Sequence, residues 1–122
     1  MNGPGMRPTV LLFDIDGTLL PTLGLGRTAM ERAFEDVLQR RGALGGVQFE
    51  GMTDRPIVRA GLANLGITTA AAPIDTVVER ILVRYLAHLT SIVNAAAPLP
   101  LLPGVTHVLD VVCAWPATAV GL

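Results

Sequence analysis

The 122-residue sequence contains no lysine, a single cysteine and few aromatic residues, namely three phenylalanines, one tyrosine and one tryptophan. Because Cys113 is alone, no disulfide can form within the chain, and a reducing, cytoplasmic compartment is the simplest expectation. All nine basic residues are arginines and the formal net charge is −1, so no basic patch is expected to hold a nucleic-acid backbone. The apolar runs are too short, or too interrupted by proline and asparagine, to form a signal-peptide core or to cross a membrane. We therefore expect neither nucleic acid nor a membrane among the partners.

What the sequence does contain is typical of a globular protein. Hydrophobic residues make up 51% of the chain and charged residues 16%. This balance excludes an intrinsically disordered chain, because enough apolar surface is available to form a core. The length suits one ordinary domain, or one domain with part of another.

Hydrophobic patterning predicts a mixed α/β chain. Val10–Phe13 is a continuous apolar run, as expected for a strand buried on both faces of a parallel sheet, and residues 118–122 resemble the start of a second buried strand. Apolar residues at helical spacing predict four helices between these strands, over residues 24–41, 54–65, 73–96 and 104–114. The connection between two parallel strands therefore holds a small helical subdomain.

Several side chains of the predicted helices can also be assigned. Arg32 and Asp36 are four residues apart and are expected to form an ion pair. Cys113 is expected to be a buried small apolar group rather than a reactive thiol. Glycines 42, 45 and 46 are expected to end the first helix. The long helix presents a broad apolar stripe that should form core, consisting of Ile74, Val77, Val78, Ile81, Leu82, Tyr85, Leu86, Leu89, Ile92 and Val93.

The segment from Asp14 to Thr18 contains the residues most able to bind a ligand or take part in catalysis. Asp14 and Asp16 directly follow the first strand, at the carboxyl end where open parallel sheets bind their ligands. Residues two apart on extended backbone point the same way, so both carboxylates could face one ligand. Gly17 permits a tight turn and should leave its amide free for an anion, and the Thr18 hydroxyl could tie the turn. The alternative is that this segment is merely a polar turn.

Two carboxylates at a phosphate require a cation to offset their charge. A hard ion with oxygen ligands fits, most simply Mg²⁺. One carboxylate could then attack phosphorus while the other handles the proton of the leaving group.

These motifs resemble those of the haloacid dehalogenase (HAD) superfamily, whose first motif is an apolar strand followed by Asp-x-Asp-Gly-Thr, matched here by residues 10–18. The helical insert resembles the cap of the phosphoglycolate phosphatase and beta-phosphoglucomutase branch. The string Gly51-Met52-Thr53-Asp54 is similar to its cap loop, and Leu102-Pro103-Gly104-Val105 to its return into the core. The implied fold is an incomplete Rossmann-like α/β core with an inserted helical cap. It divides into residues 1–22 as the first core part, 23–98 as the cap and 99–122 as the second core part.

The resemblance also implies roles for single residues. Asp14 would be the nucleophile that forms an aspartyl-phosphate, and Asp16 would protonate the leaving oxygen and then activate water. The Asp14 side chain and the Asp16 backbone carbonyl would hold Mg²⁺, and Ile15, Gly17 and Thr18 would complete the phosphate loop. The second aspartate favours phosphoryl transfer over carbon–halogen cleavage. The implied activity is a phosphatase acting on a small phosphorylated metabolite, with a phosphosugar mutase as the alternative.

Three residues on the predicted cap are candidates for specificity. Arg55 could pair with an anionic group of the substrate, and Thr53 and Asp54 could contact it. The alternative for Thr53 and Asp54 is that they only cap a helix, and one side chain could do both. Arg27 could also reach the substrate, although a solvated surface arginine is the simpler interpretation.

The remaining motifs of the family have no counterpart in the sequence. There is no lysine to neutralise the phosphoryl group, no arginine after Arg84, and no acid after Glu79 except Asp110. The chain stops near Leu122, where the second strand would approach the family's Ser or Thr motif. We therefore expect the first half of a longer enzyme, inactive alone, or a non-catalytic interaction module. An unfinished core also predicts poor solubility or assembly with something else, including self-association.

Overall fold

The computed structural model describes residues 6–21, 23–68 and 73–122. Its elements follow in the order β1 (Thr9–Leu12), α1 (Leu25–Leu38), α2 (Asp54–Asn64), α3 (Ile74–Ala95), α4 (Val105–Cys113) and β2 (Thr118–Gly121). The predicted mixed α/β class is confirmed within these residues by four helices and two short parallel strands. Residues 1–5 and 22 of the predicted first core part lie outside the described residues. In the described part of the chain, no helix is both long and apolar enough to cross a membrane.

The chain divides into two compact units. We call residues 1–22 with 98–122 the strand unit, and residues 23–97 the helical unit.

The strand unit is built on one parallel pair. β1 and β2 are in register from Thr9 opposite Thr118 to Leu12 opposite Gly121. The pairing is extended at both ends, because the Thr9 amide donates to the Ala117 carbonyl and the Phe13 amide to the Gly121 carbonyl, each at 2.9 Å. The carboxyl ends of the two strands therefore meet at one edge. α4 packs against β2 and buries Val105 and Val112.

The prediction that the first strand is buried on both faces is wrong. Val10 is 67% exposed and Leu12 is 73% exposed, and these two side chains share one face of the strand. A two-stranded sheet packed with a single helix has too few elements to cover both faces.

The helical unit carries the main hydrophobic core. α1 packs along α3, and α2 also contacts α3. The core forms because each helix presents one apolar stripe to the others. Its buried members are Ala29, Met30, Ala33, Phe34, Ala43, Leu44, Ile57, Val58, Leu62, Val78, Ile81 and Tyr85.

Parts of the helix predictions are wrong in detail. α1 ends at Leu38, before the predicted glycines, because Gln39 adopts a left-handed conformation with φ of 53° and donates its amide to the Glu35 carbonyl at 2.8 Å. The stripe of α3 is narrower than predicted, since Leu86 and Val93 are 59% and 45% exposed. Helices on one side of α3 cover only the part of the stripe that faces them.

Arg27 is neither a solvated surface arginine nor a residue free to reach a substrate. Its guanidinium donates to the Leu44 carbonyl at 3.0 Å and to the Val47 carbonyl at 2.6 Å. The same group lies 4.3 Å from the centroid of the Phe49 ring. Arg27 therefore ties the start of α1 to the loop that follows it.

Asp36 pairs with α3 rather than with Arg32. It accepts hydrogen bonds from Arg84 at 2.5 Å and 3.0 Å, and its Oδ2 lies 2.7 Å from His88 Nε2. Hydrogen bonds from Arg84 first and His88 second lower the pKa of the Asp36 carboxyl below its ordinary value of 3.8. This cluster links α1 to α3 at the surface of the helical unit.

Replacing Asp36 with Asn should lower stability only while the carboxyl is ionised. A carboxyl whose pKa is depressed by folding stabilises the native state above its unfolded pKa, and loses that contribution as pH falls through the folded pKa. We expect the urea midpoint of Asp36→Asn to lie below that of the wild type at about pH 7, and the difference to be smaller at about pH 3. The effect should be small, because the group is exposed to solvent. An equal difference between the two proteins at both pH values would contradict this account.

Candidate functional site

The segment from Asp14 to Leu20, here called the Asp loop, is a compact turn that follows β1. The Ile15 carbonyl accepts hydrogen bonds from the amides of Thr18, Leu19 and Leu20 at 3.2, 2.9 and 3.1 Å. Gly17 has φ of 73°, a left-handed conformation that a residue with a side chain rarely adopts. The five residues predicted to form the site on this segment, Asp14 to Thr18, therefore lie on one tightly folded loop.

The loop is anchored to the strand unit at its far end. Leu19 is buried, with 8% of its surface exposed, and its carbonyl accepts a hydrogen bond from the Leu102 amide at 2.9 Å. Leu102 immediately precedes the turn into α4. The anchor fixes the position of the Asp loop beside the carboxyl ends of both strands. Nothing in the sequence around Leu102 signals this contact.

The Gly17 amide is not free for an anion, contrary to the prediction. It donates to the Leu20 carbonyl at 2.8 Å and closes the loop. The turn is held by these backbone hydrogen bonds, and no hydrogen bond of the Thr18 hydroxyl is found in the described part of the chain. The role of Gly17 is therefore to adopt the left-handed backbone conformation that the tight turn requires.

The two aspartates of the loop are exposed to solvent. Asp14 Oδ1 accepts a hydrogen bond from the Ile15 amide at 2.9 Å, which restricts rotation of the carboxylate. The second oxygen, Oδ2, has no hydrogen bond to the described residues. The arrangement presents one oriented carboxylate and a second carboxylate two residues later.

The Asp loop offers only some of the oxygen ligands that a hard cation such as Mg²⁺ requires. Mg²⁺ prefers oxygen ligands and is commonly held by one or two carboxylates, completing its shell with water and substrate phosphate. The Asp14 carboxylate would supply that kind of donor, and the Asp16 backbone carbonyl would supply a second oxygen. Across residues 6–21, 23–68 and 73–122, no group of three or more His, Cys, Asp and Glu side chains could hold a metal ion. A cation held by these two donors alone would need further oxygen ligands to complete its coordination shell.

The three residues predicted to set specificity, Thr53, Asp54 and Arg55, lie at the start of α2 in the helical unit. Thr53 occupies the N-cap position with extended backbone, φ −88° and ψ 165°, but its side chain makes no capping hydrogen bond. Asp54 is the first residue of the helix, and partial desolvation raises the pKa of its carboxyl above the ordinary value. Both residues are exposed to solvent.

Arg55 already has a partner. It forms an ion pair with Glu79 of α3, in which both side chains are about half exposed. An anionic group would therefore compete with Glu79 for this guanidinium. The sequence could not predict this, because the two residues are distant along the chain.

The prediction for Cys113 is wrong, because the thiol is exposed at the end of α4. Val108 on the same helix is also 45% exposed. Only Val105 and Val112 of α4 are buried. The helix has one neighbour in the strand unit, β2, so much of its apolar surface faces solvent.

Comparison of the chain with models of protein families, with curated proteins and with solved structures finds no match.

Proposed function

We propose that this chain carries the nucleophile loop of a Mg²⁺-dependent phosphomonoester hydrolase of the HAD type, acting on a small phosphorylated metabolite in a reducing, cytoplasmic compartment. In this proposal the strand unit is part of an incomplete Rossmann-like core, and the helical unit is the cap. One observation carries the proposal. Two aspartates stand two residues apart on a glycine-shaped loop, at the edge where the carboxyl ends of two parallel strands meet.

The geometry of Asp14 supports its role as the nucleophile. Its Oδ1 is engaged by the Ile15 amide, so Oδ2 would form the bond to phosphorus. The bond from phosphorus to the alcohol oxygen of the substrate breaks in the same step. Asp16 would deliver a proton to that oxygen, and the alcohol leaves.

The second half of the reaction regenerates Asp14. Asp16, now ionised, would remove a proton from water as the water oxygen attacks phosphorus. The bond from phosphorus to Asp14 breaks, so inorganic phosphate and a free carboxylate result. When bound, Mg²⁺ would offset the negative charges of phosphate and aspartates. The Asp14 side chain and the Asp16 backbone carbonyl would hold it.

We further propose that the 122-residue chain contains only part of this apparatus and is inactive alone. The sequence has no lysine to neutralise a phosphoryl group. The described residues offer no third acidic, histidine or cysteine side chain to complete a metal site.

The test compares the 122-residue chain with an extended protein, defined as the same chain continued by the coding sequence that follows the Leu122 codon. We expect the extended protein to release phosphate from p-nitrophenyl phosphate in the presence of Mg²⁺ and to stop when the metal is chelated. We expect the 122-residue chain to release none.

Each result has a clear meaning. No phosphate release by the extended protein would contradict the phosphatase proposal. Mg²⁺-dependent turnover by the 122-residue chain would show that its site is sufficient. With a sugar phosphate as substrate, an isomer formed without free phosphate would identify a mutase instead.

A further inference from the structure

The edge of β1 that faces away from β2 has no partner strand in the described part of the chain. The amides of Thr9 and Phe13 donate toward β2, and backbone groups alternate in direction along a strand. The peptide groups of Val10 and Leu12 therefore point to the opposite edge. Among the described residues the sheet consists of β1 beside β2, so these peptide groups are open to pairing.

This edge lacks the features that usually prevent pairing with another chain. Folded proteins protect such edges with charged residues, proline or a covering element. Thr9–Leu12 contains no charge and no proline, and the side chains of Val10 and Leu12 are 67% and 73% exposed. Both the backbone and the side chains of β1 therefore favour the addition of a strand.

Charges of opposite sign flank the edge. Arg7 precedes β1, and Asp14 and Asp16 follow it. Arg7 is also the only lysine or arginine in residues 1–22 and 98–122. When two copies of this segment run antiparallel, the basic end of each meets the acidic end of the other. A parallel arrangement would instead place like charges together.

We propose that a second copy of this chain pairs with β1 across this edge, antiparallel and related by a two-fold axis. The outward peptide groups of Val10 would exchange hydrogen bonds with those of Leu12 in the second copy, since paired residues must both point to the shared edge. Leu11 would then lie on the axis, opposite Leu11 of the second copy. Pro8 would lie opposite Asp14, so Arg7 of one copy and Asp14 of the other would lie at the same end of the ladder.

This register covers exposed apolar side chains as well as pairing the free backbone groups. Val10 and Leu12 of opposite copies become direct cross-strand neighbours on the same face, so each covers the other's exposed surface. The ladder ends at Pro8, which has no amide hydrogen to donate. The product is a sheet of four strands, which exceeds the minimum that gives a sheet independent stability. The contact is self-complementary and closed, as two-fold interfaces are.

The inference does not depend on the proposed enzymatic function. It rests on the open edge, the exposed apolar pair and the flanking charges of the strand unit.

Charge exchange provides the first test, with the association of the full chain measured by sedimentation equilibrium. The wild type should dimerise, and added salt should weaken the dimer. Arg7→Glu and Asp14→Arg should each raise the dissociation constant about tenfold or more, because like charges then face each other. The double variant Arg7→Glu, Asp14→Arg restores opposite charges and should return to within about threefold of the wild type. A wild type that stays monomeric at every concentration, or a double variant as weak as the single ones, would overturn the proposal.

Proline substitution provides a second test with a matched control. Val10→Pro removes an amide that points to the open edge of β1 without removing a hydrogen bond to β2, and should abolish the dimer. Val120→Pro makes the same change at the open edge of β2 and should leave the dimer intact. Far-UV circular dichroism checks that both variants fold. If either proline variant does not fold, the charge variants alone test whether the dimer forms through β1. A dimer lost equally in both proteins would place the contact elsewhere.

A disulfide tests the register. In a Cys113→Ser background, Leu11→Cys places two thiols across the axis in a non-hydrogen-bonded pair, at a separation that a disulfide can span. Mild oxidation should convert this variant to a covalent dimer. Leu86→Cys, on an exposed part of α3, should remain unlinked under the same conditions. Equal crosslinking of the two variants would refute the two-fold pairing at β1.

Discussion

Replacing Asp14 with Asn in the extended protein is expected to lower kcat for phosphate release by roughly 10⁴-fold or more, because no group remains to form the covalent intermediate. The amide of Asn is nearly the same size as the carboxylate, and its oxygen can still accept the hydrogen bond from the Ile15 amide. The loop should therefore keep its shape. Loss of activity would then reflect the chemistry of one oxygen rather than a disrupted fold.

Asp16→Asn should give a different kinetic pattern. Loss of a general acid and base is expected to reduce turnover by about 10²–10⁴-fold. With p-nitrophenyl phosphate the leaving group needs little protonation, so the first step should survive. The second step, in which Asp16 activates water, should become slow. We therefore expect a burst of p-nitrophenol and a phosphorylated protein that can be detected by mass spectrometry.

Asp110→Asn is the matched control for both variants. It makes the same substitution on an exposed position of α4, in the same unit but outside the Asp loop. Its activity should equal that of the wild type. If Asp14→Asn kept most of its activity, or if Asp16→Asn showed no burst, the assigned roles would be wrong.

The sequence predicted the elements better than it predicted their burial. Both strands and all four helices lie where periodicity placed them, with shifts of a few residues at the ends. α1 ended early because Gln39 adopts a left-handed conformation without being glycine, which no sequence pattern indicates. Burial of Val10 was predicted because it belongs to a continuous apolar run. Whether such a side chain is covered depends on how many elements pack around it, which local patterning cannot report.

The turn that carries Asp14, Asp16 and Gly17 could be located from sequence, but its contacts could not. The spacing of Asp14, Asp16 and Gly17 placed them on one turn after a strand, and the structure has them there. The Gly17 amide donates to the Leu20 carbonyl because the turn folds back on itself. The Ile15 carbonyl, five residues before Leu20, holds that turn. The pairs that occupy Arg27 and Arg55 join residues far apart in sequence. Long-range pairs of this kind decide which arginines are free, and one sequence without an alignment does not reveal them.

These differences also affect how the proposed cap would select a substrate. Thr53 and Asp54 are exposed and carry no capping hydrogen bond, whereas Arg55 is paired with Glu79. A substrate anion would bind Arg55 only at the expense of an existing ion pair between exposed side chains, which is typically weak. Polar contacts by Thr53 and Asp54 would involve no such competition. In the proposed cap, an anion would therefore have to displace Glu79 from Arg55, whereas contacts with Thr53 or Asp54 would require no such displacement.

The largest effect on stability is expected at the contact of Phe34 with Gly61 in the helical unit. Phe34 is 1% exposed, and Phe34→Ala should destabilise the protein by about 3–5 kcal/mol, through lost burial and the cavity that remains. Gly61 faces the same ring, because a Cβ atom added there would lie 2.6 Å from Phe34 Cζ and 3.1 Å from Leu44 Cδ2. Gly61→Val should therefore cost about 1–3 kcal/mol by overpacking, despite the poor helix propensity of glycine. Urea denaturation followed by far-UV circular dichroism measures both values.

The double variant decides whether the two residues act on each other directly. With Phe34 truncated, the side chain added at Gly61 should partly fill the cavity, so Phe34→Ala, Gly61→Val should be less destabilised than the sum of the single changes by about 0.5–3 kcal/mol. Gly26→Ala is the matched control, because a Cβ there meets only the Tyr85 hydroxyl at 3.8 Å and its backbone is not left-handed. That change should be neutral or stabilising by up to about 1 kcal/mol. Strict additivity in the double variant would show that Gly61 is required for a reason other than the Phe34 ring.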